Sequence, residues 1–226
     1  MTAAGRARDD LVALWRRGGW STALGRPRPG GPTPRRSAVL LLFGLLETSD
    51  HADPASADVD LLLTRRSDDL RHHPGQVAFP GGGLDPGEDA VDAAVREAHE
   101  ETGLDPRGVE PIGPLADVPV TVSGNVVTPV LAWWRVPSAL RPDGTETAEV
   151  FRVPVPQLVD PANRGTVLGE HAGQRFATPA FTVPDVPLVW GFTAYVLDAV
   201  LDALGWAVPW DADRVVPLPR PPGTTP

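Results

Sequence analysis

Residues 82–104 read Gly82-Gly83-Leu84-Asp85-Pro86-Gly87-Glu88-Asp89-Ala90-Val91-Asp92-Ala93-Ala94-Val95-Arg96-Glu97-Ala98-His99-Glu100-Glu101-Thr102-Gly103-Leu104. From Asp85 to Thr102 this stretch predicts a helix. Asp85 and Glu88 have capping-box spacing, and Pro86 stands at the first helical position. Gly103 falls where a left-handed cap ends a helix. Val91, Ala94, Val95 and Ala98 recur at helical spacing and mark the face that packs inward.

A helix turns about 100° per residue, so Glu97 and Glu101 point within about 40° of each other. Glu100 lies beside them. Three carboxylates crowded on one face repel one another, which suits either a solvated acidic face or a metal site. Arg96 and the glycine-rich stretch leading in favour the metal site. Hard oxygen ligands select Mg²⁺ or Mn²⁺.

The stretch fits G-x5-E-x7-R-E-U-x-E-E-x-G-U (U aliphatic) at Gly82, Glu88, Arg96, Glu97, Ala98, Glu100, Glu101, Gly103 and Leu104. It resembles the Nudix box, the signature of hydrolases that cleave nucleoside diphosphates linked to another group. The resemblance implies Glu97 and Glu101 as main metal ligands, with Glu100 assisting. It also implies the backbone carbonyl of Gly81 as a ligand and Arg96 as the residue that orients the carboxylates. Glu88 is expected behind the ligands or at the helix start.

Upstream, Leu62-Leu63-Thr64-Arg65-Arg66-Ser67 is followed by Arg71, Gly75 and Phe79-Pro80-Gly81-Gly82. This is similar to L-L-T-x-T-[RS]-x3-R-x3-G-x3-F-P-G-G, a pattern of the coenzyme A pyrophosphatases within the Nudix group. Arg66 departs from it, standing where the pattern has Thr. The chain is acidic, with 29 Asp and Glu against 20 Lys and Arg, yet Arg65, Arg66, Arg71, His72 and His73 cluster here. A polyanionic substrate needs such a positive patch. Arg71, Arg66 and Gly82 are the expected substrate-binding residues.

Val122-Ser123-Gly124, with Val127-Thr128-Pro129-Val130, resembles the serine-glycine turn of that subgroup. Trp190-Gly191-Phe192-Thr193-Ala194 resembles its W-G-x-T-A element at the start of the last helix. Glu146, in a polar loop before a strand, resembles a position where many Nudix enzymes place a general base or an extra metal ligand. It is preferred to Glu149, and the expected catalytic set is Glu100, Glu101, Glu146 and Arg96.

Across 226 residues, aliphatic runs at Val39–Phe43, Val59–Leu63, Leu115–Val118 and Val126–Trp134 read as buried strands. Together with helices at 86–102 and about 190–205, they give an α/β chain. The resemblance implies the Nudix α/β/α sandwich, a mixed sheet between helices. Residues 1–36 read as a peripheral amphipathic helix (about Asp9 to Arg17) with a Pro/Gly/Arg-rich linker. Residues 37–211 read as the Nudix domain and 212–226 as a disordered proline-rich tail. Residues 50–58 read as a loop.

The chain has no Cys, no apolar signal core and no 18-residue apolar run, so a cytoplasmic protein with no membrane partner is expected. The acidic balance argues against nucleic acid as a partner. The expected reaction is metal-dependent hydrolysis of coenzyme A, or its acyl or oxidised forms, to 3′,5′-ADP and 4′-phosphopantetheine. ADP-ribose or NADH is the rival substrate, and a non-catalytic nucleotide-binding module is the rival class. The family resemblance also implies a homodimer.

Overall fold

The computed structural model describes residues 3–18, 35–46, 59–120, 124–171 and 173–218. In chain order they form α1 (Ala3–Arg17), β1 (Arg35–Leu45), β2 (Val59–Arg66), β3 (Val77–Ala78), β4 (Gly81–Gly83), α2 (Ala90–Thr102), β5 (Val109–Pro114), β6 (Val118–Val120), β7 (Asn125–Trp134), β8 (Thr147–Pro154), α3 (Val155–Val159), β9 (Arg164–His171), β10 (Gln174–Phe181) and α4 (Gly191–Ala203).

The central sheet runs β8-β2-β1-β7-β5, with β1 and β7 parallel and the other pairs antiparallel. Its inner strands β1, β2 and β7 are largely buried on both faces, which is why they read as aliphatic runs. Alternate residues of β1 serve opposite layers. Leu41 and Phe43 join Leu11, Leu14, Leu197 and Leu201 from the helices on one side. Leu40 and Leu42 join Ala93, Ala94 and Ala98 of α2 on the other. The result is the α/β/α sandwich.

β1 and β2 pair only where Phe43 meets Leu61 and beyond; toward the other end they part. There β3 bonds to β2 through Thr64 and Arg65, and β4 bonds to β1 through Ser37, Ala38 and Val39. The Leu40 N–H donates to the Pro80 carbonyl between them at 2.8 Å. The Phe79-Pro80-Gly81-Gly82 segment thus fills an opening in the sheet, beneath α2.

The folded unit is wider than 37–211. Helix α1 is not peripheral: Ala7, Leu11 and Leu14 lie in the main core. Its polar residues are also tied down, with Arg8 paired to Glu110 and Asp10 accepting from the Trp206 indole N–H at 3.1 Å. A β-carbon on Gly113 would lie 2.3 Å from the Trp15 indole nitrogen, so β5 admits that ring only because residue 113 has none. The expected tail also begins inside the fold, since Val215 bridges to Thr166 and Val216 is buried. The expected linker at 25–36 runs into strand at its end, since Arg35 and Arg36 begin β1; its residues 25–34, the loop at 50–58 and residues 219–226 lie outside the described residues.

The expected strand at Leu115–Val118 is instead a connection between β5 and β6, reached only at Val118. Among the described tryptophans, Trp133 and Trp134 are buried, and Trp206 stands edge-on to Phe43. Trp210 and Phe181 cover the guanidinium of Arg164, a fully buried side chain paired with Asp198 of α4.

Candidate active site

Helix α2 starts at Ala90, four residues later than the capping-box spacing implies. Asp89 is its N-cap, accepting from the N–H groups of Val91 (2.8 Å) and Asp92 (3.0 Å). Asp85 and Glu88 do bond reciprocally, but they close a separate turn, in which Gly87 takes a positive φ of 86°. That conformation cannot continue into a right-handed helix. The C-terminal reading holds: Gly103 is left-handed at φ 67° and its N–H meets the His99 carbonyl.

Arg96 organises the acidic face. Its Nε and Nη2 donate to the two oxygens of Glu88, each at 2.9 Å, a bidentate pair. Its Nη1 reaches Glu97 at 3.0 Å and Glu100 at 3.2 Å, while Nη2 also holds the Gly83 carbonyl at 3.0 Å. The Arg96 hydrogen bonds hold the Glu88 carboxyl down at about 2. Glu88 therefore stands behind the other acids as an anchor for Arg96.

Glu101 is buried and Glu97 half-buried. Burial pushes both carboxyls above the usual range, Glu101 to about 7. The Gly81 N–H, donating to Glu101 Oε2 at 3.2 Å, and the charge of Arg66 oppose that shift; Glu97 and Glu146 reinforce it. Glu100 is the most exposed of the three helix acids, its side chain 56% accessible. The Glu97 carboxylate lies against Gly82, where a β-carbon would fall within 2.4–2.6 Å of its atoms.

The structure also places the remaining expected residues. Arg66 ends β2 opposite Thr147, one residue past Glu146, and its buried Nε has no hydrogen-bond partner. Arg65 is neutralised by Asp68 and Glu149. That pairing occupies Glu149, whereas the charge of Glu146 acts on Glu97 and Glu101. Arg71, His72 and His73 are exposed in the loop from Ser67 to Gln76. Ser123 lies outside the described residues, and Trp190 caps α4 while packing beside Val167 and Ala180. Sequence reasoning missed Asp143, which holds the Glu146 loop; only a Gly144 turn beside it hinted at a built loop.

The donors fit a hard divalent ion by chemistry: Glu97, Glu101 and Glu146 share one electrostatic neighbourhood, and Gly82 leaves room for the Glu97 carboxylate. Among the described residues, no three such side chains are already drawn together tightly enough to enclose an ion. Glu97 turns instead to Arg96, and Glu101 to the Gly81 N–H.

The NUDIX domain model matches residues 52–170, more than half of the chain. The chain belongs to the Nudix family. Over 138 residues it is 37% identical to the uncharacterized Nudix hydrolase NudL of Pectobacterium atrosepticum, covering 61% of this chain and 71% of that protein. It is 30% identical to Nudix hydrolase 3 of Caenorhabditis elegans over 195 residues, 79% of this chain and 78% of that one. Among solved structures, the Nudix hydrolase RenU of M. smegmatis aligns at 28% identity and a TM-score of 0.44, over 56% of this chain and 74% of that chain. Nudix hydrolases cleave pyrophosphate bonds and generally use divalent ions such as Mg²⁺ or Mn²⁺. Among the described residues no helix is long and apolar enough to cross a membrane.

Proposed function

We propose that the chain hydrolyses coenzyme A, or its acyl or oxidised forms, to 3′,5′-ADP and 4′-phosphopantetheine. One observation carries this reading. The upstream signature, Leu62 to Gly82, folds into the walls of the candidate site: its first part ends at Arg66 beside Glu101, and its last part is the insert on which Glu97 and Glu101 rest.

Glu97 and Glu101 would hold Mg²⁺ or Mn²⁺, assisted by Glu100 and the Gly81 carbonyl. The bound ion supplies charge neutralisation for the diphosphate and a lowered pKa for water. Arg96 keeps the carboxylates in place. Arg66 and Arg71 bind phosphate oxygens, and Gly82 lets the backbone approach them. Glu146 takes the proton from the attacking water. The water oxygen bonds to one phosphorus, and the bridging P–O bond breaks. The reading includes a homodimer, as the family resemblance implies, checked by light scattering in solution.

The test is mass-spectrometric product analysis after incubation with coenzyme A, ADP-ribose and NADH, each with Mg²⁺ or Mn²⁺. Dominant 3′,5′-ADP and 4′-phosphopantetheine are expected. Cleavage of ADP-ribose or NADH with coenzyme A untouched overturns the substrate assignment. Binding without cleavage of any of the three overturns the enzymatic one.

A further inference from the structure

The irregular segment between β7 and β8 carries Glu146 on a backbone built around Asp143. The Asp143 carboxylate accepts from the N–H of Thr147 at 2.7 Å, and from the N–H groups of Thr145 and Glu146 at 3.2 Å each. Its second oxygen accepts from the Thr145 hydroxyl at 2.5 Å and again from the Glu146 N–H at 3.2 Å. One side chain therefore fixes three successive amides, with the strength of charge-assisted bonds.

The Asp143 backbone faces the other way. Its N–H donates to the Glu101 carbonyl at 3.1 Å, and the Arg141 N–H donates to the Thr102 carbonyl at 2.7 Å. These carbonyls belong to the last turn of α2, where no intrahelical donor remains. On its far side the segment is held by the Ser67 N–H, which donates to the Glu146 carbonyl at 2.7 Å. The Glu146 side chain makes no hydrogen bond or ion pair among the described residues, so its carboxylate goes where its backbone is put.

We propose that Asp143 is a positioning residue that fixes the Glu146 carboxylate relative to Glu101, linking the loop to the box helix. This rests on the role given above to Glu146. If Asp143 served only to stabilise the turn, its loss would lower activity by the same factor whether or not Glu146 were present. A residue that acts through Glu146 has nothing left to position once that carboxylate is gone.

The experiment is a double-mutant cycle in the full chain with Mg²⁺. Turnover is followed on coenzyme A, or on ADP-ribose or NADH if product analysis selects one of these. Hydrogen exchange of the peptide spanning 143–150 is measured alongside. Asp143→Ala is expected to speed exchange at Thr145, Glu146 and Thr147 and to lower kcat about tenfold or more, with KM changed less than about twofold. Asp143→Asn keeps one acceptor oxygen for the three amides and is expected to retain most of the turnover. In a Glu146→Gln background, Asp143→Ala is expected to cost nothing further. An equal cost in both backgrounds, or unchanged loop exchange, overturns the proposal while leaving Glu146 in place. Wild-type turnover by Glu146→Gln removes the Glu146 reading and the proposal with it.

Discussion

The carboxylate of Glu97 occupies the space that a β-carbon on Gly82 would need: such an atom would lie 2.4 Å from its Cδ. The obstacle is the end of a flexible side chain, so Gly82→Ala should fold and push Glu97 aside. A displacement of about 1 Å at a reacting centre costs roughly 10²-fold in rate. The expected result is a turnover loss of that order with thermal unfolding close to wild type, read by steady-state kinetics and calorimetry.

Arg96 bonds to three carboxylates and one carbonyl at once. A lysine offers a single ammonium and cannot reproduce the two-point grip on Glu88 while reaching Glu97. Arg96→Lys is expected to lower turnover about 10- to 100-fold, as for residues that orient metal ligands. A metal titration should show the apparent Mg²⁺ affinity falling with it.

Burial raises the Glu101 carboxyl from 4.5 to about 7. In chelator, the folded state therefore binds this proton more tightly than the unfolded chain. No penalty exists below about pH 4.5; it grows as pH rises and levels off above about pH 7. At about 1.4 kcal/mol per pH unit the plateau is on the order of 3 kcal/mol. Glu101→Gln should therefore be more stable than wild type in denaturant at pH 8 and not at pH 4. Added Mg²⁺ should stabilise wild type and leave this variant largely unmoved. Equal stability of the two proteins at both pH values in chelator would sink this account.

Leu11 is fully buried between α1 and the sheet. Leu11→Ala is expected to cost about 2–5 kcal/mol, since the site lies in a packed core. Chemical denaturation tests this directly, and a loss under 0.5 kcal/mol would show that α1 is not integral to the fold.

The sequence made the box legible where local rules decide structure. Gly103 ends the helix because a left-handed residue is needed there, and Ala94 and Ala98 face inward by periodicity alone. The helix start was misplaced because Asp85 and Asp89 are both good caps. Only the positive φ at Gly87 separates them, and sequence does not display it. The place of α1 depends on Gly113 accepting Trp15, a contact about a hundred positions away along the chain. Asp143 was invisible for a similar reason: its meaning comes from meeting the carbonyl of Glu101, which no spacing pattern encodes. Arg65 and Arg66 look alike as neighbours, yet alternation along β2 gives one two acidic partners and turns the other toward Glu101.

The parting of β1 from β2 has a consequence for how such a protein can change. Helix α2, with its acids, rests on β1 and β4, while Arg66 and the loop from Ser67 to Gln76 continue β2 into β3. On the proposed assignment, variation in the loop beyond Ser67 would act on the substrate side, whereas Arg66, whose charge acts on Glu101, and Ser67, whose N–H holds the Glu146 carbonyl, are tied to the acids across the gap. If that assignment holds, substrate preference could evolve apart from the acids, and a library confined to residues 68–76 is the natural place to redirect this scaffold.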